Sequence, residues 1–187
     1  MPTIDLDYRT AFDLAPVGLV LSRHRQIIDC NRQLLEMFGA EPGQLAGHSF
    51  ELLYPTHAEF ERTGERITAS LDAHGWYADE RIMKRVGGPR AGELFWCHVS
   101  GRALAPDEPH AAGIWSFEDL SARRQVKADL TPREREIPPP LTDGLPSKLI
   151  GRRLDTSPRT VDVYRARLMR KYGAVTTHEL VHKLLAG

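Results

Sequence analysis

Cysteine is scarce, with only Cys30 and Cys97 in 187 residues. No C-x-x-C pair and no Cys/His cluster with zinc spacing accompanies them, which excludes a disulfide framework and leaves reduced, buried thiols as the expectation. Long apolar runs are missing too: nothing approaches the ~20 residues that a membrane span needs. The stretch MPTIDLDYRT lacks the basic start and apolar centre of a secretory signal, so the expected location is cytoplasmic, with no membrane partner. The usual catalytic signatures are also lacking. There is no G-x-x-x-x-G-K-[ST], no G-x-S-x-G and no H-E-x-x-H, and the Gly87-Gly88 pair falls in a turn between two strand patterns. An enzyme is therefore not expected. With 41% apolar and 27% charged residues the composition is that of an ordinary globular protein, neither disordered nor collagen-like.

Net charge is absent as well, since 25 basic side chains balance 25 acidic ones. The balance conceals two unlike segments. Residues 1–130 carry 14 basic and 19 acidic side chains, net −5, and residues 131–187 carry 11 and 6, net +5. Within 147–172, eight basic residues face only Asp155 and Asp162. A local excess of that kind attracts a phosphate backbone.

In the acidic segment the apolar pattern is that of short strands, small helices and then three long strands. Gly18–Leu21 and Gln26–Asp29 read as an antiparallel pair joined by Ser22–Arg25. Asn31 caps a helix over Arg32–Phe38 that Gly39 stops, helical pieces follow at Gly43–Ala46 and Phe50–Leu53, and Glu59–Ala73 is the longest helix. Strands are expected over Trp76–Val86, Glu93–Ala105 and Ala112–Asp119. This order, with Gly47-His-Ser, Pro55 after Phe50-Glu-Leu-Leu-Tyr, Phe95-Trp96 and Asp119-Leu-Ser121, resembles a PAS domain over roughly residues 8–121. The resemblance implies a five-stranded antiparallel sheet with helices on one face.

In the basic segment Thr131-Pro-Arg-Glu134 is a capping box with proline at the first helical position. A second helix is expected over Ser147–Leu154 with Leu149, Ile150 and Leu154 on one side. Asp155-Thr156 makes a tight turn, and Ser157-Pro158 opens a third helix to Tyr172. Val161, Leu168 and Tyr172 form its narrow apolar stripe, and Thr176–Glu179 is another capping box at the head of a fourth helix. Two helices joined by a short turn, the second with a basic free face, meet the requirement of a helix-turn-helix. Leu130–Glu136, Ser147-Lys148, Ile150–Leu154, Ser157–Val161 and Lys171–Gly173 resemble the LuxR-type (NarL/FixJ-type) four-helix DNA-binding domain. That resemblance implies double-stranded DNA as partner, with Asp162, Val163 and Ala166 at base edges. Lys148, Arg159, Thr160, Arg165, Arg167, Arg170 and Lys171 then stand at or beside phosphates.

The expected fold class is thus α+β: a PAS-like sensor at 1–121, a linker at 122–129 expected to be helical, and an all-α four-helix domain at 130–187. One departure stands out. Pro138-Pro-Pro140 falls where the family's first helix continues, so the helix opened at Thr131 should end near Glu136, and helix-forming residues at those positions should raise stability. The ligand of the PAS pocket stays open between haem and a small organic molecule. A thiol-adduct flavin is disfavoured because no cysteine lies near 50–56, and His57 is the candidate cofactor-binding residue, with a surface or capping role as its plainer reading. The i, i+4 pair His178 and His182 has no third ligand and reads as solvated rather than metal-binding. A homodimer is expected, with PAS surfaces and Leu180, Leu184 and Leu185 as contacts. The functional expectation is a bacterial-type transcriptional regulator in which the sensor controls DNA binding. Its rival is a ligand- or cofactor-binding sensor that acts through protein contacts, its DNA-binding module impaired by Pro138–Pro140.

Overall fold

The computed structural model describes residues 7–105, 107–122 and 130–186. A first helix α1 (Tyr8–Asp13), not expected from the sequence, leads into a hairpin of β1 (Gly18–Arg23) and β2 (Gln26–Cys30). Helix α2 (Arg32–Phe38), a 3-10 turn at Phe50–Leu53 and α3 (His57–His74) follow. Strands β3 (Trp76–Lys84), β4 (Leu94–Ala103) and β5 (Gly113–Asp119) complete a five-stranded sheet of order β2-β1-β5-β4-β3. All pairings are antiparallel, with Val20 opposite Cys30 and Trp115, and Val99 opposite Asp79 and Phe117. The expected helical piece at Gly43–Ala46 is a run of turns instead.

One sheet face packs against the helices. Val20, Tyr77, Met83, Phe95, Cys97, Val99, Trp115 and Phe117 bury there with Leu34, Phe38, Phe60, Ile67 and Leu71. Along β4, Phe95, Cys97 and Val99 look inward. Burial pushes the Cys97 thiol up, consistent with an inert side chain. Asn31, fully buried, ties the layers together. Its Oδ1 accepts from the amides of Leu34 and Leu19, and its Nδ2 donates to the carbonyls of Phe12 and Val17.

A second core belongs to α4 (Pro132–Glu136), α5 (Pro138–Thr142), α6 (Ser147–Arg153), α7 (Pro158–Tyr172) and α8 (Thr177–Ala186). Leu130, Ile137, Leu141, Ile150, Leu154, Val161, Leu168, Leu180 and Leu184 fill it. The expected first helix is here split in two. It ends at Glu136 as the prolines require, yet Pro138–Pro140 form the first turn of the next helix, where a missing N–H costs no hydrogen bond, and all three are buried. Leu149 turns outward, against the expectation that it packs inward. Leu180 and Leu184 are core residues, so of the three proposed dimer contacts on α8 only Leu185 is exposed. The linker expected to be helical lies almost wholly at 123–129, outside the described residues. No helix among the described residues is long and apolar enough to cross a membrane.

Candidate nucleic-acid interface and interior cavity

Helix α7 is built for display. Ser157 caps it by accepting from the Thr160 amide, and the chain turns from α6 into it through Asp155, which takes a φ of 48°. The approach is tight: a Cβ on Gly151 would lie 2.8 Å from the Thr156 carbonyl oxygen, so only glycine lets the turn close on α6. Val161 and Leu168 bury on the core side. Arg159, Asp162, Val163, Ala166, Arg167 and Arg170 stand exposed, as does Lys148 on α6. Arg167 is 5.6 Å from the Tyr164 ring centroid, which holds it along the helix. The exposed face is therefore mixed, with cations at its borders and the small apolar Val163 and Ala166 between them.

Four of the residues assigned from sequence, Asp162, Arg165, Thr160 and Lys171, are already engaged. Asp162 accepts from the Ser147 hydroxyl at 2.6 Å and pairs with Arg165 at 2.8 Å, while Arg165 also donates to Ser147. Ser147, absent from the sequence assignment, thus organises part of the surface. Thr160 serves the helix cap through Ser157. Lys171 is half-buried and donates at 2.8 Å to Glu134, which is itself buried. Burial alone would raise the Glu134 carboxyl, but Lys171 and the amide and hydroxyl of Thr131 outweigh it and hold the carboxyl below its ordinary range.

Between sheet and helices lies a cavity of ≈ 40 Å³ whose apolar wall includes Phe50, Phe60, Ile67, Val99, Trp115 and Phe117. Its polar wall is Ser22, Arg25, Tyr54, Arg81 and His110. Arg25 gets there by the two-residue hairpin turn of β1 and β2, in which both His24 and Arg25 take positive φ, 50° and 61°, a conformation more often given to glycine or asparagine. Its guanidinium lies 3.7 Å from the Phe60 ring centroid and donates to the Phe60 carbonyl. Gly64 makes the room, since a Cβ there would stand 2.5 Å from Arg25 Nη2. The inward position of Arg81 follows from alternation along β3, where Tyr77, Asp79, Arg81 and Met83 share one face. Arg81 donates to the Tyr54 hydroxyl and to Asp79, both at 2.6 Å. His57 lies outside this cavity, exposed, with Nδ1 2.9 Å from Glu51. His178 and His182 are exposed on α8, and the described residues hold no group of three or more metal-ligating side chains.

The two parts of the chain meet along β3 and α3. Helices α4 and α5 pack on β3, Arg62 pairs with Glu136 at 2.5 Å, and Arg135 pairs with Glu59 at 3.3 Å.

Comparison with known proteins agrees with this division. The PAS domain family profile matches residues 16–122, and that of "Bacterial regulatory proteins, luxR family" matches residues 128–184. Sensor protein TdiS of Thauera aromatica is 32% identical over 123 residues, which is 66% of this chain and 22% of TdiS. The transcriptional regulatory protein FixJ of Bradyrhizobium diazoefficiens is 44% identical over 79 residues, 42% of this chain and 37% of FixJ. The chain thus spans well under half the length of either. Among solved structures, the PAS domain of a LuxR-family transcriptional regulator from Burkholderia thailandensis, in complex with ethanol, is 61% identical. It has a TM-score of 0.59 and covers 62% of this chain and 99% of its own. The chain therefore belongs to the PAS domain family and carries, C-terminal to that domain, a helix-turn-helix domain of the luxR family of bacterial regulatory proteins.

Proposed function

We propose that the protein is a transcriptional regulator in which occupancy of the PAS cavity controls sequence-specific binding of double-stranded DNA by α7. The observation that carries this reading is the face of α7. Small apolar side chains suited to a thymine methyl sit between arginines suited to phosphates, on a helix whose other side is anchored in a core. The working division keeps a sensor at 1–121, a linker at 122–129 and a DNA-binding domain at 130–187. One such helix buries too little surface for specificity, so the DNA-bound form is a homodimer with half-sites about one helical turn apart.

For the cavity, the geometry favours a small organic ligand over haem. A volume of ≈ 40 Å³ holds about three water-sized groups. The histidine on its wall, His110, already has Nε2 2.7 Å from the Thr68 hydroxyl. A molecule of ethanol's size, as in the 61% identical PAS domain, suits an apolar chamber with Tyr54, Ser22 and Arg81 to hydrogen-bond its polar end.

The test is fluorescence anisotropy on a random duplex pool, followed by selection of preferred sites. Replacing Val163 or Ala166 by tryptophan should abolish preference for the selected site while leaving non-specific binding nearly intact. Failure of the wild-type chain to bind any duplex at low salt would leave the protein-contact sensor as the better account.

A further inference from the structure

The contact between the two parts is not an apolar seam. A cavity of ≈ 40 Å³ lies within it, bounded on one side by α3 and β3 and on the other by Arg135, Pro139, Pro140 and Arg153. Arg66 Nε and Arg135 Nε are buried there without a hydrogen bond, while Arg81 Nη2 and Glu59 Oε1 are held only by ion pairs, to Asp79 at 2.5 Å and to Arg135 at 3.3 Å. An incompletely satisfied polar network in low dielectric is energetically marginal, and small changes in one member redistribute the rest. Two residues, Tyr54 and Arg81, line both this cavity and the interior cavity of the PAS domain. They form a wall one side chain thick between a ligand chamber and the DNA-binding domain.

Behind that wall stands Asp79. Its carboxylate is buried and accepts from the Tyr77 hydroxyl at 2.5 Å and from Arg81 Nε at 2.6 Å. Arg66 approaches it at 3.9 Å and Arg153 of α6 at 4.0 Å, both at the outer limit of ion pairing. One buried anion is thus shared between a cation of the ligand chamber and a cation of the helix-turn-helix. Resting on the regulator reading above, we propose that Asp79 couples the chamber to the DNA-binding domain: the more completely Arg81 is engaged elsewhere, the more strongly Asp79 holds Arg153.

The physical logic is competition for a single carboxylate. A buried carboxylate cannot be left unpaired without a large penalty, so a ligand hydroxyl or carbonyl that draws Arg81 toward the chamber obliges Asp79 to turn to Arg66 and Arg153. Docking of α6 then tightens. Conversely, removal of the Tyr54 hydroxyl frees Arg81 Nη1, commits Arg81 to Asp79 and loosens α6. The coupling is reciprocal, so a docked α6 favours a chamber whose ligand holds Arg81.

The experiment is a double-variant cycle on the full chain, read by amide hydrogen exchange of α6. Tyr54→Phe keeps the ring in place, and Arg153→Gln acts from the far side without entering the PAS core. We expect Tyr54→Phe to speed exchange in α6 about threefold or more in the wild-type background and to have no further effect once Arg153 is glutamine. Exchange in β4 and β5, measured in the same samples, reports whether Tyr54→Phe has disturbed the PAS fold. Should it have done so, Ile67→Val, on the chamber wall without contact to Asp79, serves as the matched control, and only an effect beyond the control counts. Equal acceleration by Tyr54→Phe with and without Arg153, or none in either, overturns the coupling. DNA affinity is measured separately, so loss of the regulator reading and loss of the coupling give different results.

Discussion

Replacing Pro138, Pro139 and Pro140 together by alanine should lower the stability of this protein, the opposite of what the sequence alone led one to expect. In a helix interior each proline would cost ~3 kcal/mol, and its removal would be a large gain. The structure places all three in the first turn of α5, where that penalty does not arise. What alanine can gain is a set of three backbone bonds to α4 carbonyls, worth about 1 kcal/mol each. What it loses is buried carbon. Two ring carbons per site at ~0.8 kcal/mol give about 5 kcal/mol, or about 3 after allowance for a compact unfolded chain. Greater freedom of the unfolded chain adds ~0.4–1 kcal/mol per proline. The losses exceed the gains by about 1–3 kcal/mol, and the middle of that range is equivalent to a fall of about 4–8 °C in a chain of this size. Thermal unfolding of the full chain by circular dichroism or calorimetry measures it. A triple variant that melts higher than wild type would show that the segment is a damaged helix after all, and would refute the assignment of these rings to packing.

Lys171→Ala should cost stability of the C-terminal part and leave the salt dependence of DNA binding unchanged, because Lys171 serves buried Glu134. Arg167→Ala or Arg170→Ala should leave the melting point unchanged and reduce the salt slope by about one unit, and the reverse pattern in titrations over salt would show that these roles are exchanged. Asp162→Ala should raise affinity for all duplexes several-fold, since it removes a carboxylate from the exposed face and releases Arg165; weaker binding would identify Asp162 as a base contact. Glu59 supplies a pH dependence. Burial pushes its carboxyl up to about 7 from 4.5, with Glu136 adding to the rise and Arg135 and Arg62 opposing it. The folded form therefore holds the proton more tightly, and stability present below pH 4.5 is lost as the pH rises toward 7. The loss is of order 1 kcal/mol once solvent screening is allowed for. Glu59→Gln should flatten this fall in melting temperature, and an unchanged profile would rule Glu59 out as its source.

The elements legible in the sequence were those whose ends are set by local chemistry. Asn31 and Gly39 bracket α2, and Ser157-Pro158 and Gly173 bracket α7, at the residues expected, because a cap is decided by a few neighbouring atoms. The exposed cations of α7 were legible for the same reason, since helical period alone assigns a free face. What could not be read depended on partners distant in the chain. Lys171 has the charge of a phosphate contact, yet its carboxylate lies 37 residues away. Leu180 and Leu184 have the spacing of a dimer stripe, but the other helices of the same domain fill it. Ser147 was legible only as the start of α6, because its role at the surface depends on Asp162 lying across from it on another helix. Arg81 was within reach: an arginine alternating with Tyr77, Asp79 and Met83 is a buried cation whenever that strand face turns inward.

The tri-proline segment shows how a local violation can mark a functional place. A LuxR-type first helix has one apolar side to bury, and an unbroken helix would serve that need best. Here the helix must also meet β3, and α4 and α5 divide the work. Ile137 and Leu141 fill the helical core, while Pro139 and Pro140 face the PAS domain beside Arg135 and Glu136, which reach Glu59 and Arg62. A break in the helix is what allows consecutive residues to face two partners, and proline makes the break without leaving an unpaired N–H in the seam. A single proline would suffice to end α4. The second and third rings serve as surface toward β3, which places the departure from the family pattern at the contact between the two parts of the chain.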